Sequence, residues 1–160
     1  MYGTDGDDLI AIDADTADIT YLYGIGSTAA LAALPDGRLV SAGLDGVFFI
    51  EPETGEKTLV AASSGYGLDG DVAVFPDGSV YWSASTPEGG YALLRVAPES
   101  AVATLIGPLD TDRAWGLLSV DERLVAVSGT GVVYEIDPTT AGSVMLAELP
   151  GYWVGAASKP

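Results

Sequence analysis

The stretch PDGRLVSAGLDGVFFIEPETGEKT, residues 35–58, decides the fold. Pro35-Asp36-Gly37 is a turn, and the apolar run Arg38-Leu39-Val40-Ser41-Ala42 follows it. Leu44-Asp45-Gly46 is a second turn, followed by Val47-Phe48-Phe49-Ile50. Glu51-Pro52-Glu53-Thr54-Gly55 is a third. Proline fixes φ and lacks an N–H, so it is harmless in turns, and Gly and Asp accept the conformations that turns require. Short β-branched and aromatic runs between such turns read as a β-meander.

The rest of the chain repeats this unit. The residues Ile12-Asp13-Ala14-Asp15-Thr16, Ile50-Glu51-Pro52-Glu53-Thr54, Val96-Ala97-Pro98-Glu99-Ser100 and Ile136-Asp137-Pro138-Thr139-Thr140 align at spacings of 38, 46 and 40 residues. A second anchor agrees: Leu34-Pro35-Asp36-Gly37-Arg38-Leu39-Val40 aligns with Phe75-Pro76-Asp77-Gly78-Ser79-Val80-Tyr81 and with Ser119-Val120-Asp121-Glu122-Arg123-Leu124-Val125. The N-terminal residues 1–10 read like residues 39–48 with the beginning cut off. Joining the ends gives a wrap-around spacing of 36 residues from Ile136 to Ile12, so four repeats account for the chain.

Each repeat carries four short strand candidates, as at residues 29–34, 38–42, 47–50 and 57–61. Residues 29–34 have helical propensity, but their aligned partners 72–75 and 116–119 do not. Four strands every 40 or so residues predict an all-β fold, a β-propeller of four-stranded antiparallel blades. The single domain spans residues 1–160, with one blade cut by the termini. Residues 29–33, 71–74, 115–118 and 154–157 are the expected innermost strands, small and apolar enough to converge on an axis. Such sheets need neighbours on both faces. The ring closes as a homodimer of eight blades, which is the preferred expectation, or as a four-bladed ring in one chain; the third option is a piece of a longer propeller.

Composition narrows the function. Of the 160 residues, 23 are Asp or Glu and six are Lys or Arg, a net charge of −17. That balance disfavours nucleic acid and anionic membranes, which are bound through Lys and Arg, and favours cations or basic partners. The chain has no His, so it lacks the commonest general base and transition-metal ligand. It has no Cys and therefore no disulfide or thiolate chemistry. That fits a cytosolic or a bacterial extracellular setting, and a secreted or cell-surface one is expected. No run of about 18 apolar residues predicts a membrane helix. MYGTDGDD, with neither a basic nor an apolar region, is not read as a signal peptide.

The repeat resembles the bacterial β-propeller repeats of the broad NHL, YVTN and PQQ-like group. The residues that carry this are Ile136-Asp137-Pro138-Thr139-Thr140, Thr104-Leu105-Ile106-Gly107 and Pro76-Asp77-Gly78-Ser79-Val80-Tyr81. The Trp-rich quinone-cofactor signature and the Trp-Asp repeat signature are missing. The resemblance implies an architecture and leaves activity open.

Chemistry is therefore sought where the repeats differ. Loops 24–28, 63–71, 107–115 and 148–153 enter the innermost strands and share one face. They offer Tyr66, Asp69, Asp71, Asp110, Asp112, Arg113, Trp115, Tyr152 and Trp153 as ligand-binding candidates. Converging carboxylates and aromatics suit a sugar, a polar ligand or a cationic peptide; alternatively the tryptophans pack between blades and the aspartates cap turns. Asp13, Glu51 and Asp137 recur at one turn position, which marks them as structural. Asp5-Gly6-Asp7-Asp8 and Asp69-Gly70-Asp71 resemble fragments of calcium loops, but calcium takes six to eight oxygens. No catalytic residue and no cofactor is expected. The leading expectation is a non-enzymatic binding or assembly module for a protein or glycan; the alternatives are a carboxylate-based glycoside hydrolase and a structural repeat fragment of a larger surface protein.

Overall fold

The computed structural model describes residues 1–67, 70–97, 102–111 and 114–153. Among them are fifteen strands and no helix. A first sheet contains β1 (Tyr2–Asp5), β2 (Asp8–Ile12) and β3 (Ile19–Gly24). The second holds β4 (Thr28–Ala33), β5 (Leu39–Gly43), β6 (Gly46–Ile50) and β7 (Lys57–Ala62). In the third are β8 (Val72–Val74), β9 (Val80–Ser85), β10 (Tyr91–Ala97) and β11 (Val102–Leu109). The fourth holds β12 (Ala114–Val120), β13 (Arg123–Ser128), β14 (Val132–Ile136) and β15 (Ser143–Glu148). Every strand pairs antiparallel with its sequence neighbour, so each sheet is a meander.

The stretch that predicted the fold forms β5 and β6 with the turns around them. Residues 29–34 are strand, not helix: β4 pairs with β5 from Thr28 to Ala33. The repeats also share a feature that the residue pattern does not display. The outer strand pair of every sheet carries a β-bulge at one register, at Leu9/Ile10, Val47/Phe48, Leu93/Leu94 and Val133/Tyr134. A bulge increases local twist, and here it bends the outer strand of each sheet at the same level.

One alignment needs correcting. Leu34 and Arg38 flank a three-residue turn and are joined by a backbone bond from Leu34 N–H to Arg38 O. In the fourth sheet Val120 pairs directly with Arg123 across the two-residue turn Asp121-Glu122. Both turn residues have positive φ, 49° and 60°, as a type I′ hairpin requires. Val120, not Ser119, is therefore the counterpart of Leu34.

The sheets stack face to face in chain order. Leu9, Ile25, Leu39 and Ile50 fill the space between the first and second. The second and third share the largest apolar cluster, which includes Val40, Val47 and Phe49 on one side and Val80, Trp82 and Leu94 on the other. Tyr81, Leu93 and Leu109 meet Leu117, Leu124 and Ile136 between the third and fourth. Three of the expected innermost strands lie side by side: β8 touches β4 on one side and β12 on the other. The first sheet has three strands among the described residues, where four were expected per blade. β1 occupies the position of β5, the second strand of its sheet. The expected innermost strand at 154–157 lies outside the described residues.

The repeated acidic turns are structural. Asp13 Oδ1 accepts N–H bonds from Asp15 and Thr16, each at 2.9 Å. Asp137 Oδ1 accepts from Thr139 N–H at 2.7 Å and Thr140 N–H at 3.3 Å. For Asp137 the Thr139 side chain, and for Asp13 the Thr16 and Asp15 backbone, hold the carboxyl below its ordinary range.

Candidate functional site

The start of β12 and the residues following β15 meet over a glycine. Trp115 sits in a bulge of β12, at the register shift between Ala114 and Gly116. Its ring meets that of Tyr152 edge-on, with centroids 6.4 Å apart. Gly129, just beyond β13, lies under both: a Cβ there would stand 3.5 Å from Trp115 and 3.5 Å from Tyr152. Its carbonyl accepts the Trp153 N–H at 3.2 Å. Two residues on, a Cβ at Gly131 would come within 3.3 Å of the Trp153 indole. The short Gly129-Thr130-Gly131 turn thus lies against all three aromatic side chains. Tyr152 stays 70% exposed and Trp153 39%.

Asp71, the other strong candidate, does a different job. It is buried, and Oδ1 accepts the N–H of Val72 at 2.8 Å while Oδ2 accepts the N–H of Leu117 at 3.0 Å. These N–H groups belong to β8 and β12, the edge strands of two neighbouring sheets. One carboxylate therefore satisfies backbone donors on both inner edges and ties the third sheet to the fourth. Ser83 completes the link. Its Oγ accepts the Asp71 N–H at 2.9 Å and lies 3.3 Å from Asp71 O and 3.2 Å from Ala114 O.

The remaining candidates separate. Tyr66 is half-buried and its ring meets that of Trp82 edge-on at 6.3 Å, so it packs between the second and third sheets. Asp110 is exposed at the end of β11. Asp69, Asp112 and Arg113 lie outside the described residues. The structure brings together Trp115, Tyr152 and Trp153; Tyr66 packs on Trp82, and Asp71 bonds the backbone of β12.

The calcium-like fragment Asp5-Gly6-Asp7-Asp8 forms the turn between β1 and β2, and Asp5 accepts a hydrogen bond from Tyr21. Among the described residues no three Asp, Glu, His or Cys side chains converge as a metal cage. The described cations are engaged: Arg38 with Asp36, Arg123 with Glu135, Arg95 with Ser79 and Lys57 with the Ile25 carbonyl and the Phe48 ring.

Residue reading alone missed Gly129 and Ser83. Both had a signal. Ser83 is a hydroxyl at a strand position where the second and fourth repeats have Ala42 and Val127, although the first has Thr4. Gly129 stands two residues from a second glycine in a turn too short for the spacing to explain.

No protein-family model matches the chain, and no curated protein matches it in sequence. Solved structures do. A gluconolactonase from Xanthomonas campestris superposes with a TM-score of 0.71 at 19% identity, over 96% of this chain and 60% of that one. An auxiliary nutrient binding protein from Bacteroides ovatus gives 0.63 at 14% identity, over 89% and 39%. A PQQ-bound aldose sugar dehydrogenase from Streptomyces coelicolor gives 0.54 at 18% identity, over 69% and 44%. The fold is a β-propeller. At these identities the likeness extends to the architecture and not to activity. This chain spans 60% or less of the length of each of these propellers.

Proposed function

We propose that this propeller is a non-enzymatic binding module whose ligand is a carbohydrate, held against Trp115, Tyr152 and Trp153. The observation that carries the reading is the aromatic group itself: Trp115 and Tyr152 meet edge-on over Gly129, and Tyr152 and Trp153 keep exposed rings. The C–H face of a sugar ring stacks on such a surface, and the phenol and indole N–H groups bond its hydroxyls. Similar folds include a sugar dehydrogenase and a nutrient binding protein, in keeping with this ligand class. The repeat motif supports a place for the chain among NHL, YVTN and PQQ-like propellers.

A glycoside hydrolase needs two carboxyl groups facing each other across the scissile bond. Asp71 has each oxygen on a backbone N–H instead, which favours binding over hydrolysis.

Titrating intrinsic tryptophan fluorescence with a panel of mono- and disaccharides tests the proposal. A saturable change with at least one sugar is expected, and Tyr152→Ala should weaken it about tenfold, about 1.4 kcal/mol, without moving the unfolding midpoint. No response across the panel, or an unaltered response in Tyr152→Ala, sinks the carbohydrate reading.

A further inference from the structure

The strand register gives each sheet an equivalent set of positions, and the two ends of the stack can be compared with its interior. On the face turned to the preceding sheet, one cross-strand pair recurs: Leu39 with Ile50, Val80 with Val96, and Leu124 with Ile136. All six residues are buried. The first sheet has the same pair, Met1 with Ile12, joined by backbone bonds in both directions. Here Met1 is 73% exposed and Ile12 only half-buried. On the opposite face, Val40 and Val47 of the second sheet are buried, as are Tyr81 and Leu93 of the third. Their counterparts in the fourth, Val125 and Val133, are half-buried. Each end of the stack therefore presents the apolar positions of an interior contact without a covering sheet among the described residues.

A second contact matches at the two ends as well. In two of the interior contacts the end of an outer strand meets the acidic turn of the next sheet. Tyr23 packs on Gly55, and Gly107 packs on Ala141. Tyr23, Gly107 and Ala147 share one register position, opposite Leu9, Leu93 and Val133. Gly55, Ala141 and Ala17 share one turn position, with φ of 72°, 62° and 60°. Ala147 and Ala17, one at each end of the stack, are both exposed. Both are small, so a fourth sheet laid against a first meets no steric bar at this point.

We propose that two copies of this chain join end to end, the fourth sheet of each packing on the first sheet of the other, to close one ring of eight sheets about a two-fold axis. Every copy carries both complementary faces, so a two-fold covers all four ends at once, and the contact is heterologous yet closed. It reuses the apolar positions that already seal the three interior contacts. The chain charge of −17 opposes association, so the dimer tightens as salt rises.

Sedimentation equilibrium and light scattering of the 160-residue chain read the outcome directly. Twice the chain mass is expected, more firmly at high salt. Ala147→Glu sets a carboxylate against the Asp13–Asp18 turn of the other copy and should weaken dimerisation roughly 100-fold. Because Ala147 is exposed, the variant keeps the circular dichroism and unfolding midpoint of the dissociated wild type. Adding Ala17→Lys in the same chain supplies the opposite charge across the contact and restores the dimer. A wild-type monomer at every concentration and salt overturns the proposal; so does an open-ended polymer, an Ala147→Glu dimer as tight as wild type, or a double variant that stays dissociated.

Discussion

The third sheet is gripped differently on its two faces. Toward the second sheet it presents Val80, Trp82 and Leu94, buried among apolar neighbours. The indole Nε1 of Trp82 has no hydrogen-bond partner among the described residues. Toward the fourth sheet it presents Asp71 and Ser83, both buried and both bonded across to β12. Adjacent residues of one strand, Trp82 and Ser83, thus serve opposite designs. An apolar contact gains free energy from area and tolerates small shifts. A buried polar clamp contributes little net free energy, yet it penalises any arrangement that leaves its donors unpaired.

The apolar face should give the largest effect. Trp82→Ala removes a side chain with no exposed surface and leaves a cavity between two sheets. A loss of about 3–5 kcal/mol in urea unfolding is expected. Trp82→Phe keeps most of the area and removes an N–H that bonds nothing, so about 1.5 kcal/mol or less is expected. If the Phe variant fell as far as the Ala variant, the indole nitrogen would hold a bond after all.

On the polar face, Asp71→Ala deletes the acceptor of two buried N–H groups, those of Val72 and Leu117. An unpaired buried donor costs about 1–3 kcal/mol, so the variant should lose about that much or somewhat more. Native-state hydrogen exchange distinguishes the faces. Asp71→Ala should speed exchange in β12 and spare β5 and β6, whereas Trp82→Ala should speed it in β5 and β6 and spare β12. Equal effects on both sides would remove the distinction between the two contacts.

The strand-end contacts show how far one repeat can vary. In the first pair of sheets the bulk lies on the strand, with Tyr23 over Gly55 and its hydroxyl donating to Glu53 O. In the last pair the bulk lies on the turn, with Gly107 under Ala141. A Cβ on Gly55 would overlap the Tyr23 ring, and one on Gly107 would sit 2.9 Å from Thr140 O. Gly55→Ala should therefore cost about 1–3 kcal/mol. Its cost in a Tyr23→Gly background should be much smaller, because Ala141 already shows that the turn accepts a Cβ when the strand opposite is glycine. Additive losses in that double-mutant cycle would break the equivalence drawn between the two contacts.

These contrasts mark what the sequence could and could not convey. Strand order was legible because turns rich in Pro, Asp and Gly bound most β runs and recur in register. The structural role of Asp13 and Asp137 was legible for the same reason. The hairpin at Asp121-Glu122 was not, because it has neither Gly nor Asn and reaches positive φ with residues that disfavour it. Asp71 looked like a site residue because it breaks an apolar strand. Its real role depends on Leu117, 46 residues away, which residue spacing does not reveal. Trp115, Tyr152 and Trp153 were individually visible, but Gly129 as the residue that seats them required the fold.

The smallest expected effect concerns acid and the turn under Gly107. Hydrogen bonds from Thr139 and Thr140 hold the Asp137 carboxyl below its ordinary range, as those from Thr16 and Asp15 do for Asp13. A lowered folded pKa means that the ionised group stabilises the fold above its unfolded value, about 3.9, and that this contribution fades as pH falls through the folded value. Asp137→Asn removes the titration but keeps an acceptor. Its deficit against wild type should be constant near neutral pH and shrink below about pH 4. Acid also relieves the self-repulsion of a chain at −17, so only the difference between the two proteins isolates the turn. Asp13→Asn, whose turn has no packed strand end opposite it, should show the same pH dependence without loosening a sheet contact. A pH-independent deficit in both variants would mean that the turns owe nothing to ionisation and that their effect is purely geometric.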